Sequence, residues 1–186
     1  SEFCEAVIHS HARLTYDEAN AVDIFGPLQV FASANAIVQR LKPDVEQAYS
    51  THLAGIEQSA IKLATQTRVL CDASLADLSE TPINTLLIAG GEPAAHIAQQ
   101  SELISTLLPV MNNARRVASI CSGALILAAT GVLNGRKATT HWGRYDQFRA
   151  SYPDVQLNID QLFTQDGKYY CSAGVTAGID LALKLV

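Results

Sequence analysis

The sequence predicts an α/β domain in which a mostly parallel sheet is sandwiched between helices. Three observations carry that prediction. Short apolar runs alternate with stretches of helical periodicity, and the connections between them are brief. The run Thr85–Ala89 (Thr-Leu-Leu-Ile-Ala) is apolar without alternation, as a strand covered on both faces is. The chain has 186 residues, 48% of them apolar, which suits one domain with a sizeable core.

Taken in order, Phe3–Ile8 is the first expected strand, and a polar loop leads from it to a helix over about 27–41. That helix has an apolar stripe of Leu28, Phe31, Val38 and Leu41, with Pro27 at a start that tolerates proline. Further strands are expected at Gln47–Leu53, Ala60–Ala64 and Thr85–Ala89. A helical region then follows Gly90-Gly91 to about Asn113, broken near Pro109. The strand Arg116–Ile120 runs straight into Cys121, and the helix Ser122–Thr130 after it is apolar nearly all round, hence buried. After Gly131 and Gly135 come a strand at Lys137–Thr140 and a helix at Tyr145–Ser151. Strands at Gln156–Phe163 and Tyr169–Cys171 lie either side of the turn Asp166-Gly167. The last helix starts near Gly174 and stops on an apolar stripe at Val186 without a capping residue, which predicts further chain beyond it.

Composition narrows the function. The chain carries 13 basic and 18 acidic residues, net −5, and its longest basic runs are pairs, so it lacks the clustered cations that grip DNA. No uninterrupted apolar run approaches the ~20 residues of a membrane span, and the acidic start is unlike a secretion signal. Cys4, Cys71, Cys121 and Cys171 are widely spaced and read as free thiols in a reducing compartment; a cytoplasmic domain is expected. Phosphate-binding, dinucleotide-binding and zinc-protease motifs are absent, so no cofactor is expected. His9 and His11 lack an evident third metal ligand.

The sharpest local feature is Ser119-Ile120-Cys121-Ser122-Gly123, where a buried strand meets a helix across a turn of small residues. That is the arrangement of a nucleophile elbow. A helix N-terminus favours thiolate, so a lowered Cys121 pKa is expected. The amides of Ser122 and Gly91 are placed to hold an oxyanion. Asp23 precedes the first helix and either faces Cys121 or caps a turn. His141, at a strand end, is either a base reaching the same edge or a packed histidine. The alternative for Cys121 itself is a small buried hydrophobe.

The stretch from Ala118 to Trp142 resembles the ThiJ/PfpI superfamily, which is similar to class I glutamine amidotransferases. The resemblance is strongest to the amino-terminal domain of AraC-type transcriptional regulators. Val22–Phe31, Ile88–Gly91, Phe163–Gly167 and Ser172–Leu183 agree, so the likeness spans nearly the whole chain. It implies a flavodoxin-like three-layer sandwich, usually a homodimer, with Cys121 on the elbow cysteine and Asp23 as its acidic partner. Gly90, Gly91, Ser122 and Gly26 complete the expected ligand-binding set. In the regulators a helix-turn-helix domain follows at the carboxyl end. The chain departs from amidotransferases in having no His-x-Glu pair after the elbow, and from the proteolytic and chaperone-like branches in having Ser122 where they have His. Cys171 stands where the regulators more often have Thr.

The expectation is therefore that residues 1–186 form a sensor domain that binds a small-molecule effector at Cys121 and touches DNA only through a further domain. The alternative is a free-standing enzyme of the isonitrile hydratase type, with Cys121 as nucleophile and Asp23 and His141 handling protons. A dimerisation module with a vestigial pocket is the third class.

Overall fold

The computed structural model describes residues 9–45, 47–57 and 59–186. In chain order the elements are β1 (His9–Leu14), α1 (Ala21–Leu41), β2 (Tyr49–Gly55), β3 (Ala60–Lys62), β4 (Arg68–Leu70), β5 (Ala73–Ser74), β6 (Ile83–Ile88), α2 (Ala94–Ile97), α3 (Ser101–Asn113) and β7 (Ala114–Ile120). They continue with α4 (Gly123–Ala129), β8 (Lys137–Ala138), α5 (Tyr145–Ser151), β9 (Gln156–Leu157), β10 (Phe163–Asp166), β11 (Tyr169–Ser172) and α6 (Val175–Leu185). Short 3-10 turns occupy Ala76–Glu80 and Trp142–Arg144.

Seven strands form one sheet in the order β10-β11-β7-β6-β1-β2-β5, parallel throughout except for the β10–β11 pair. Within it β2-β1-β6-β7-β11 follow the doubly wound 2-1-3-4-5 order, and the direction of winding switches between β1 and β6. Helices α1 and α6 pack against each other over one face of the sheet, while α3 and α4 cover the other. The core on the first face includes Phe31, Leu87, Ile120 and Leu181; on the second it includes Leu14, Ile88, Leu107 and Leu125. This is the expected α/β sandwich, flavodoxin-like, with a mostly parallel central sheet.

Local details differ from the sequence expectation for physical reasons. The strand expected at Phe3–Ile8 lies outside the described residues. The segment read as a polar loop supplies β1, an interior strand between β6 and β2, and its His11 and Arg13 are buried. The His11 ring stacks on Phe31 at 4.1 Å between centroids, and the Arg13 guanidinium lies 5.2 Å from the same ring. Burial lowers the Arg13 pKa to about 9. A Phe face is one of few apolar surfaces that accept a cation.

Helix α1 begins at Ala21 rather than near Pro27, so Pro27 lies inside it and Asp23 falls in its first turn. By length and composition this helix, of mean hydropathy 1.4, is also long and apolar enough to cross a membrane. Its alanines raise the average without forming the uninterrupted apolar run sought in the sequence. Pro109 does not break α3; the interruption falls before Ser101 instead. The segment 156–163 is likewise two short strands, not one.

Phe31 joins α1 to the sheet and is fully buried. Phe31→Ala is expected to destabilise the fold by about 3–5 kcal/mol, measured from denaturant midpoints. A loss under about 1 kcal/mol would show that α1 is not anchored there.

Candidate functional site

The site forms where the carboxyl ends of β1, β6 and β7 meet the start of α1, beside the switch point where open sheets leave a crevice. Strand β7 passes into α4 through Cys121, whose φ of +56° is left-handed, a conformation unfavourable for a residue with a side chain. Two bonds hold it there. The Cys121 N–H donates to the Ser172 carbonyl at 3.0 Å, and Thr140 Oγ1 donates to the Cys121 carbonyl at 3.1 Å. Glycine is required around the elbow. A Cβ on Gly90 would lie 2.7–2.8 Å from Asp23 Oδ2, the Ile120 carbonyl and the Ser122 nitrogen, and one on Gly123 would lie 2.5 Å from the Ile88 carbonyl.

The loop after β6 is tied to both neighbours. Gly90 N–H donates to Asp23 Oδ2 at 3.0 Å. Gly91 N–H donates to Ser122 Oγ, which in turn donates to the Gly91 carbonyl, each at 2.9 Å. Asn20 N–H reaches the Gly90 carbonyl at 2.9 Å, and Tyr16 Oη donates to the Ala89 carbonyl at 2.9 Å. The Asn20 side chain turns inward rather than capping α1. Its Nδ2 lies 3.3 Å from Asp23 Oδ2 and 3.9 Å from Cys121 Sγ.

Cys121 and Asp23 are 4% and 1% exposed, and burial dominates both titrations. Desolvation, reinforced by the Asp23 charge, raises the thiol to about 11; hydrogen bonds from Ser122 and the charge of Arg144 pull the other way without prevailing. Desolvation raises Asp23 to about 6 against the bonds from Asn20 and Gly90. The lowered thiol pKa expected from the helix N-terminus is thus overturned. Helix α4 is only seven residues long, and its field does not offset the loss of water. The resting site holds a neutral thiol beside a carboxyl poised near neutrality.

The structure brings Cys121, Asp23, Ser122, Gly90 and Gly91 together. It does not leave the Gly91 amide open for an oxyanion, because Ser122 Oγ already accepts from it. His141 stands apart from the hydrogen bonds that join Cys121, Asp23 and the glycine loop. Its Nδ1 accepts from the Gly143 N–H at 3.2 Å, its ring packs on Trp142, and among the described residues no hydrogen bond joins it to Cys121 or Asp23. Gly26 is a packing position in α1, where a Cβ would lie 2.9 Å from Ile179 Cγ1, and lines the α1–α6 groove rather than this site. His11 belongs to the core, and the described residues contain no cluster of three or more His, Cys, Asp or Glu side chains able to hold a metal.

Sequence reasoning missed Tyr16, Asn20 and Arg144. An Asn directly before an apolar helix signals a helix start, and that signal would have placed both Asn20 and Asp23. Nothing local marks Tyr16 or Arg144, which reach the site only through the fold.

Residues 12–186 match the model of the DJ-1/PfpI family. The chain is 27% identical over 173 residues to isonitrile hydratase of Pseudomonas putida, covering 92% of this chain and 68% of that protein. It is 34% identical over 139 residues to the HTH-type transcriptional regulator CdhR of Pseudomonas aeruginosa; this covers 74% of the chain but only 40% of CdhR. The crystal structure of an AraC family transcriptional regulator from Pseudomonas putida has the same fold, with a TM-score of 0.73 at 16% identity over 96% of this chain and 90% of that one.

The raised Asp23 pKa has a consequence for stability. Between the ordinary carboxylate value near 4 and about 6, the folded state keeps a proton that the unfolded chain has lost. Stability from this group is therefore full in acid and is lost as pH rises through about 6. Asp23→Asn removes the titration, so relative to the parent it is expected to gain about 2 kcal/mol between about pH 4.5 and 7.5. Denaturant midpoints at the two pH values measure this, and an unchanged difference would refute a buried, proton-holding Asp23.

Proposed function

The chain belongs to the DJ-1/PfpI family, and on that premise we propose that it is the ligand-sensing domain of an AraC-type transcriptional regulator, with its small-molecule pocket at the Cys121 elbow. The observation that carries this reading is that the glycine loop of the site is bonded internally, even though the buried Asp23 Oδ1 has no hydrogen-bond partner. The amides of Gly90 and Gly91 are engaged by Asp23 and Ser122, and the thiol is neutral. Catalysis of acyl-transfer type needs unengaged donors aimed at the developing charge. A site that must exchange internal bonds for ligand bonds suits a sensor, whose two states have to differ in their contacts. The similarity to CdhR supports the same reading.

On this proposal DNA is gripped by a helix-turn-helix domain carboxyl-terminal to this one, the domain itself being acidic, and the protein acts in the cytoplasm as a homodimer. A surface suited to self-association lies between α1 and α6. There Ile37, Leu41, Leu183 and Val186 are each at least half exposed beside an apolar groove of about 450 Å³. Patches of this kind mark interaction sites on soluble domains.

A second reading is favoured by Asp23. A carboxyl at about 6, linked to the thiol through the Asn20 side chain, is a competent proton acceptor near neutral pH. As an isonitrile hydratase, Cys121 sulfur would add to the isonitrile carbon, its proton passing through Asp23 to that carbon. Water would then displace the sulfur, releasing an N-substituted formamide and the free thiol.

The sensor reading predicts a small molecule that raises the melting temperature of the protein and shifts the DNA affinity of the intact regulator at least about fivefold, measured by fluorescence anisotropy on its promoter. Equal DNA affinity with and without every stabilising compound would refute it. The enzyme reading predicts formamide from cyclohexyl isocyanide, abolished by Cys121→Ala; no turnover on this and related isonitriles would eliminate it.

A further inference from the structure

The turn that follows β8 carries a cation to the edge of the Cys121 site. The Arg144 side chain is 20% exposed. Its Nη2 donates to the Glu92 carbonyl at 3.1 Å and lies 3.0 Å from a Glu92 carboxylate oxygen, while Nη1 donates to Gln147 Oε1 at 3.1 Å. Glu92 directly follows Gly91, the residue bonded to Ser122. The guanidinium is thereby anchored on the same loop that packs against the elbow, and Thr140, at the start of the same turn segment, bonds to the Cys121 carbonyl. From this position its charge acts on both the Cys121 thiol and the Tyr16 phenol.

Two features distinguish Arg144 from an ordinary structural arginine. Its ionic partner is weakly held, because the Glu92 side chain is 92% exposed and a solvated pair of this kind yields readily to a competitor. The fork also has donors left over. A guanidinium carries five N–H groups, and the Glu92 and Gln147 contacts engage at most three of them. The opposing charge in the site, Asp23, is 1% exposed, with Oδ2 occupied by Gly90 and Asn20 and Oδ1 buried without a hydrogen-bond partner.

Resting on the reading of this site as a ligand pocket, we propose that Arg144 is its anion-binding residue, that the ligand is a small molecule bearing a carboxylate, and that the Glu92 carboxylate occupies the ligand's place until displaced. The planar fork matches a carboxylate in a bidentate way that a lysine would not.

Two alkylating reagents of nearly equal size and opposite character test this on the intact protein, iodoacetate bearing the carboxylate and iodoacetamide lacking it. Each forms a sulfur–carbon bond at the thiolate with loss of iodide, so the fraction of thiolate cancels in the ratio of their rates. Rates at Cys121 are followed at about pH 8.5 by mass mapping of its peptide, with Cys121→Ser as the blank. Arg144→Met is expected to lower the iodoacetate-to-iodoacetamide ratio at least about fivefold, Arg144→Lys to lower it less, and Glu92→Gln to raise it at least about twofold. A purely structural Arg144 would move both reagents together. If iodoacetamide modifies Cys121 but the ratio is unmoved in every variant, this inference falls and the pocket stands. If neither reagent reaches Cys121 in the parent protein, both fall.

Discussion

The left-handed backbone at Cys121 is the constraint on which the rest of the site depends. Strand β7 is buried on both faces and must turn into α4 with no loop between them, so a single residue absorbs the change of direction. That conformation is unfavourable for cysteine by roughly 1–2 kcal/mol, and it persists because Ser172 and Thr140 hold the peptide from opposite sides. The same compression explains the glycines. At Gly90 and Gly123 neighbouring backbone comes within 2.8 Å or less of where a Cβ would sit. The elbow, the glycine loop and the first turn of α1 therefore form one closely packed unit, not three adjacent features.

Packing that tight excludes water, and exclusion of water sets the electrostatics. Both titratable groups at the centre are pushed toward their neutral forms, the thiol to about 11 and the carboxyl to about 6. The Asp23 charge further opposes ionisation of the thiol, since a second negative charge in the same dry space is unfavourable. Arg144 and the Ser122 amide act against this trend but are outweighed. A sequence motif that announces a nucleophile thus folds into a protected thiol, and whatever activates it has to bring charge or change hydration.

How much of this was legible in the sequence follows from what periodicity can and cannot register. Buried strands such as β6 and β7 announce themselves through apolar runs, and α4 through a surface apolar nearly all round. The elbow was visible because strand, small residues and helix are contiguous. Strand β1 was invisible for the opposite reason. Its buried positions His11 and Arg13 are polar and pack on Phe31 of α1, distant in sequence. The start of α1 was misplaced because Pro27 is a louder signal than Asn20, although the helix tolerates the proline in its second turn. The oxyanion assignment to Gly91 failed at the level of side-chain competition. A serine hydroxyl two bonds from its own backbone claimed the amide, and no spacing rule anticipates that.

The way these parts are joined also determines what a ligand can move. Within the site Gly90 is held by Asp23, Gly91 by Ser122 and Arg144 by Glu92, while the buried Asp23 Oδ1 has no hydrogen-bond partner. On the proposed sensor reading, a ligand that engages the Gly90 or Gly91 amide replaces one of those internal bonds, and the atoms released belong to the loop after β6. That loop is fastened to the start of α1 three times over, through Asn20 N–H on the Gly90 carbonyl, the Ala19–Gly91 bridge and the Asp23 carboxyl. Helix α1 runs for 21 residues from that point and packs along α6. The glycine loop is therefore joined directly to the end of a long helix rather than to a flexible connection. The apolar face where α1 meets α6 lies along that same helix, so on the proposed sensor reading it is the surface through which an occupied site would differ outwardly from an empty one.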